Sequence, residues 1–183
     1  NAAKLISKKA NDEYPVVYFY SYKQTESSGT KGESSTGWEI FLEGLIKAGH
    51  QITATWPVRT EQVGGMKHKV NALATSVVIA LRKKNKNAQI ATRKEFVDTL
   101  RSNLENAILT MVESDITPVD LQQSAIGPGM AVFTKYAKVL EADGSAMTVR
   151  TALQLINAEL DHIQENSDID MDSDTRFCIQ WFD

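Results

Sequence analysis

The chain has 183 residues, 42% apolar and 23% charged, which suits one ordinary core or two small ones and a soluble globular class. No run of eighteen apolar residues and no basic-then-apolar leader occurs, which speaks against a membrane span or secretion and for a cytoplasmic setting. The lone Cys178 excludes a disulfide framework and, with only His50, His68 and His162, argues against an all-protein zinc site; the net charge of −3 divides into +6 over residues 1–91 and −9 over residues 92–183.

Ala3 to Asn11 reads as the tail of a helix stopped by Asn11-Asp12-Glu13-Tyr14-Pro15. Val16 to Tyr22 is aromatic and β-branched without polar alternation, so a strand covered on both faces is expected. Gln24 to Gly37 is rich in glycine, serine and threonine and reads as a surface loop. It follows a strand and precedes a helix, as a phosphate loop would, but lacks the Gly-Lys-Ser/Thr ending and the dinucleotide spacing. Thr36-Gly37-Trp38-Glu39 has capping-box spacing, and Trp38, Phe41, Leu42, Leu45 and Ile46 recur at helical intervals up to Gly49, a residue suited to a left-handed cap.

Ile52 to Trp56 is expected to be a strand ended by Pro57. A long connection with Gly64-Gly65 and the bases Arg59, Lys67, His68 and Lys69 leads to a third strand, Ser76 to Leu81. Three strands and one helix do not cover both faces of a parallel sheet, so part of this α/β fold is expected to lie outside the chain; the opening Asn1-Ala2, without an initiator methionine, fits that expectation.

After Thr92 the period becomes helical. Phe96, Val97, Leu100, Leu104, Ala107, Ile108 and Met111 mark one helix, and Thr117-Pro118 opens a short second one that Gly127-Pro128-Gly129 is expected to break. Met130 to Lys138 reads as a further helix, Val139 to Glu141 as an extended piece before the Asp143-Gly144 turn, and Thr148 as the cap of a last helix with Val149, Ala152, Leu153, Ile156 and Leu160 on its face. The alternating Asp168, Asp170, Asp172 and Asp174 lack the glycine and closing glutamate of a calcium loop. Residues 1–91 are therefore expected to form a sheet domain and residues 92–183 an acidic, mainly helical region.

Lys23 and Glu26 follow the first strand, and Arg59 and Glu61 the second, where ligands of open α/β sheets bind. Trp56-Pro57 stands beside a basic, glycine-containing stretch, an aromatic near cations as in proteins that stack a base and track phosphates. Burial of Trp56 in a core is the competing reading.

The runs Val16-Val17-Tyr18-Phe19-Tyr20-Ser21-Tyr22-Lys23-Gln24, Gly37-Trp38-Glu39 and Thr55-Trp56-Pro57-Val58-Arg59-Thr60-Glu61 resemble the back half of large bacterial and archaeal adenine-specific DNA methylases. Ala125-Ile126-Gly127-Pro128-Gly129-Met130 and Val139-Leu140-Glu141-Ala142-Asp143-Gly144 resemble the helical C-terminal region of the same family. The resemblance implies an incomplete Rossmann-like methyltransferase sheet. Val16 to Tyr22 would be its fifth strand, and Ile52 to Trp56 with Ser76 to Leu81 its closing antiparallel hairpin.

The family's parent enzymes use S-adenosylmethionine, bound at a glycine-rich turn, and hold adenine with an Asp/Asn-Pro-Pro-aromatic motif. Neither motif occurs in this chain, so the resemblance implies a fragment inactive alone and without cofactor. DNA contact would fall to Lys23, Trp56, Arg59, Lys67 and Lys69, as part of a restriction-modification or similar system. A non-catalytic nucleic-acid-binding or protein-interaction module is the alternative. The acidity of the helical region favours a protein partner there, and an incomplete sheet is expected to self-associate.

Overall fold

The computed structural model describes residues 2–21, 36–59, 75–113 and 118–166. In chain order the elements are α1 (Ala2–Lys9), β1 (Val16–Ser21), α2 (Thr36–Lys47), β2 (His50–Arg59), β3 (Thr75–Lys83), β4 (Ile90–Thr92), α3 (Arg93–Glu113), α4 (Pro118–Lys135), β5 (Lys138–Leu140) and α5 (Val149–Asn166). The protein is thus mixed α/β. It has a three-stranded sheet in the order β1-β3-β2 and a two-stranded parallel ladder of β4 with β5.

β3 runs antiparallel to both of its neighbours. Hence β1 and β2 are parallel to each other, with β3 between them, and α2 is the crossover that joins them. The antiparallel pairing of Ile52 to Trp56 with Ser76 to Leu81 agrees with the hairpin expected from the sequence. Strand β1 differs from expectation. Val16, Tyr18 and Tyr20 turn towards the core, whereas Val17 and Phe19 are exposed on the opposite face. An unbroken apolar run hides a strand of period two when its outward residues are also apolar.

The buried face rests on α2. Tyr20 lies between Trp38 and Phe41, with ring centroids 5.0 and 4.6 Å away, and Leu42 and Leu45 join Ile52, Ile79 and Leu81 in the core. Helix α2 ends as its sequence suggests, on Gly49 at φ +90°, a conformation that a side chain disfavours.

Helix α4 lies along the outer edge of β2. The Thr134 hydroxyl accepts from the Ile52 amide at 3.0 Å and lies 3.1 Å from the Ile52 carbonyl and 2.7 Å from the Met130 carbonyl, so its single proton serves the two acceptors. Two turns earlier Gly127 faces Thr55 so closely that a Cβ would stand 2.6 Å from the Thr55 nitrogen. The Gly127-Pro128-Gly129 run therefore does not break the helix. Its glycines are the surfaces by which α4 meets β2 and, at Gly129, Ile156 of α5. The separate helix expected from Met130 to Lys138 is the second half of α4, and Lys138 already belongs to β5.

Pro57 does not end β2 either, since the strand continues to Arg59. The Thr55 nitrogen faces α4 rather than β3, and Pro57, two residues on, turns its missing donor to that same outer side. A register shift between Ile52 and Ala54 marks a bulge at Thr53.

α3 and α5 pack around α4. Phe96 meets Phe133 edge-on at 5.6 Å, and Arg101 grips Glu159 through two bonds of 3.0 Å. One hydrophobic cluster includes Trp38, Leu42, Ile52, Ile79 and Leu81 from before position 91 and Phe96, Leu104, Met130 and Ile156 from after it.

Candidate nucleic-acid interface

The strand directions fix where the chemistry-bearing stretches begin. Position 21 of β1 pairs with Ser76, and Val58 of β2 pairs with that same Ser76, so the carboxyl ends of the two parallel strands lie at the same end of the sheet, on either side of β3. Lys23 follows the first of these ends by two residues, and Arg59 is the last residue of the second. The carboxyl ends of parallel strands are where α/β sheets place ligands.

Three cross-strand rows form the open face. They are Val17, Ala80 and Ala54; Phe19, Val78 and Trp56; and the row through Ser76 and Val58. Trp56 is 53% exposed and Phe19 73% exposed. Neither ring meets another aromatic among the described residues, whereas Tyr18, Tyr20, Trp38 and Phe41 pack on one another. Trp56 is therefore not the core tryptophan of the competing reading; that role belongs to Trp38, buried on the opposite face.

The face is electrically uneven along its length. Its middle rows hold no carboxylate among the described side chains. At the amino end of β1, Arg82 donates to the carbonyls of Asp12 (3.4 Å) and Glu13 (3.2 Å), and Lys83 pairs with Asp12 at 2.7 Å. The Asp12 carboxylate is thus paired with a cation, and Arg82 holds the backbone before β1, at the far end from Trp56.

Of the residues singled out from the sequence, Trp56 and the backbone of Arg59 are described. Lys23, Lys67, Lys69 and the Arg59 side chain lie outside the described residues, as do Glu26, Glu61 and the aspartates from 168 to 174. Phe19 was not among the candidates. Its signal is positional: it shares the parity of Val17 along β1 and the row of Trp56 across the sheet.

Polar groups on the buried side are sparse. The Tyr18 hydroxyl, raised above its ordinary pKa by burial, the Nδ1 of the fully buried His50 and the Thr55 hydroxyl make no hydrogen bond. His50 Nε2 lies 3.2 Å from the Ala3 carbonyl and ties α1 to the start of β2 in the tautomer that carries its proton there. A shallow cleft of about 360 Å³ lies between the amino ends of α2 and α5, but its charges are already matched, with Arg150 Nε donating to Glu39 at 2.8 Å. Among the described residues no group of three His, Cys, Asp or Glu could hold a metal ion, and no helix is long and apolar enough to cross a membrane. No family model, curated protein or solved structure matches the chain.

Proposed function

We propose that this chain is the substrate-side part of an S-adenosylmethionine-dependent DNA adenine-N6 methyltransferase, a piece of a Rossmann-like sheet that contacts DNA but performs no methyl transfer alone. One observation carries the reading furthest. The carboxyl ends of the parallel strands β1 and β2 lie at one end of the sheet, on either side of β3, and the exposed Trp56 stands near that end; Arg59 closes β2, and in the sequence Lys23 follows β1 and Lys67 and Lys69 follow β2. In this reading Trp56 and Arg59 flank the target base, while Lys23, Lys67 and Lys69 meet phosphates.

The chain contributes no S-adenosylmethionine site, because neither the glycine-rich turn nor the Pro-Pro-aromatic motif is present in its sequence. The cofactor would be held by residues outside this chain. The acidic helices α3 to α5 would serve a protein partner and not DNA, since a net charge of −9 over residues 92–183 repels phosphates.

The test uses the whole parent protein. Trp56→Ala and Arg59→Ala should each lower methyl transfer to duplex DNA by at least tenfold while S-adenosylmethionine binding by calorimetry stays within twofold. Unchanged transfer in both variants would remove these residues from the substrate site. Calorimetric binding of S-adenosylmethionine by the 183-residue chain would refute the claim that the chain lacks a cofactor site.

A further inference from the structure

We infer that Phe19 and Trp56 are the two walls of a slot for one unpaired nucleobase on the open face of the sheet, with Val78 as its floor. The inference rests on the nucleic-acid reading above and adds to it a second aromatic and the class of ligand, single-stranded nucleic acid.

The register supplies the geometry. Val78 pairs with Phe19 on one side and with Trp56 on the other. With neighbouring Cα atoms about 5 Å apart, the two aromatic residues are rooted roughly 10 Å from one another. Two rings on that spacing, each standing from the sheet, leave room between them for one more flat ring. Both are largely in water, at 73% and 53% exposure, although aromatic rings on this protein's other face are packed together. Every base has a π-face, so such a slot holds a base without reading its edge. Duplex DNA offers only base edges in its grooves, so the guest must be unpaired.

Size and charge choose this occupant over a second copy of the chain. Three strands at roughly 4.8 Å and five residues at about 3.3 Å give a face on the order of 240 Å². Even doubled for side-chain relief, that is well short of the roughly 800 Å² that each partner of a stable protein pair contributes. A base with its backbone needs far less. No carboxylate stands in the middle rows among the described side chains, Arg59 closes β2 three residues beyond Trp56, and Lys23 follows β1 by two residues in the sequence. A phosphate chain is therefore attracted towards the carboxyl ends of these strands.

The experiment measures binding of the 183-residue chain to a fluorescein-labelled, mixed-sequence single strand of roughly 16 nucleotides, an upper site size for one single-strand-binding fold, and to the matching duplex. Fluorescence anisotropy reads affinity, and the quenching of intrinsic emission that Trp56→Phe abolishes reports whether a base covers Trp56 rather than Trp38 or Trp181. The wild type should bind the single strand more tightly than the duplex, with tryptophan emission quenched. Phe19→Ala and Trp56→Ala should each weaken single-strand binding about tenfold. Phe19→Leu should behave like the alanine variant, because it keeps apolar area and loses the ring, whereas Trp56→Phe should retain most of the affinity. Both positions are exposed, and an unchanged far-ultraviolet circular dichroism spectrum verifies the fold.

Single-strand binding that all four variants leave unaltered would overturn the slot while leaving the nucleic-acid reading in place. Absence of binding by the wild type would overturn the slot, and the methyl-transfer assay of the parent then judges the broader reading separately. A wild-type dimer by light scattering that Phe19→Ala converts to a monomer, without effect on DNA, would assign the face to a second copy and refute the inference.

Discussion

Thr134 sits where a helix meets the outer edge of a strand, and its buried hydroxyl bonds the Ile52 amide on that edge. The Ile52 amide donates to it, and the Ile52 and Met130 carbonyls lie within reach of its proton. Valine has the same shape without the hydroxyl, so Thr134→Val leaves the Ile52 amide unpaired in the core. The expected loss is about 1–3 kcal/mol, read as a lower urea midpoint with an unchanged slope. A second residue-scale device begins α3. The Thr92 amide donates to Glu95 Oε2 at 2.7 Å, and the Glu95 amide donates to Thr92 Oγ1 at 3.3 Å, a reciprocal capping box. The bond from the Thr92 amide, with a second from its hydroxyl, holds the Glu95 carboxyl below its ordinary value of 4.5. Because the folded value is the lower one, the cap contributes fully above about pH 4.5, and its contribution is lost as pH falls through the folded value. Amide exchange at Thr92 should accelerate over that acid range beyond the intrinsic trend. Glu95→Gln, which keeps an acceptor but cannot titrate there, should remove the excess; persistence of the excess in the variant would place its origin elsewhere.

At the scale of elements, the helices with caps and apolar faces were legible. The Trp38, Phe41, Leu42 and Leu45 face of α2, the Phe96 to Met111 face of α3 and the Thr148 cap of α5 are all local features. They appear as the sequence suggests, with the Thr151 amide donating to Thr148 Oγ1 at 3.1 Å. The Thr92-x-x-Glu95 cap was equally legible in principle, since its spacing is that of Thr36-x-x-Glu39. What local signals did not convey was the reason for Gly127-Pro128-Gly129. Read locally, these residues break a helix; in the fold, Gly127 lets α4 approach the backbone of β2 and Gly129 admits Ile156. Gly127→Ala sets two effects against each other. Alanine favours a helix interior by about 1 kcal/mol over glycine. Its methyl would stand 2.5 Å from Thr55 Oγ1 and 2.6 Å from the Thr55 nitrogen, and the latter belongs to a backbone that cannot swing aside. The clash should win, with a net destabilisation of about 1–3 kcal/mol by thermal or urea unfolding. A variant more stable than the wild type would show that α4 is free to move off β2.

For the whole molecule, the division of charge at position 91 suggested a sheet domain followed by a helical one, and the contacts give that idea a sharp test. Helix α4 closes the edge of β2 at Ile52 and Thr55, α5 meets α2 through Arg150 and Glu39, and one hydrophobic cluster draws on both segments. Phe19 escaped the sequence reading for a related reason. Its place in the candidate site depends on the β1-β3-β2 order, which joins residues almost forty positions apart in the chain. If the segments share one core, they unfold together. Hydrogen exchange then offers two independent reporters, the amides of β3 around Ile79 and those of α3 around Leu104, both buried and fully separate in sequence. Gly127→Ala touches neither reporter, yet it loosens the seam between α4 and β2. In a single cooperative unit the slowest amides of both elements exchange through global opening, so the substitution should lower their protection by the same factor. Two autonomous domains would respond differently: protection in α3 would fall with the damage to α4, and protection in β3 would hold. Equal losses would make the sheet and the acidic helices one folding unit, so that a partner bound to the helices would stabilise the sheet face carrying Phe19 and Trp56 as well.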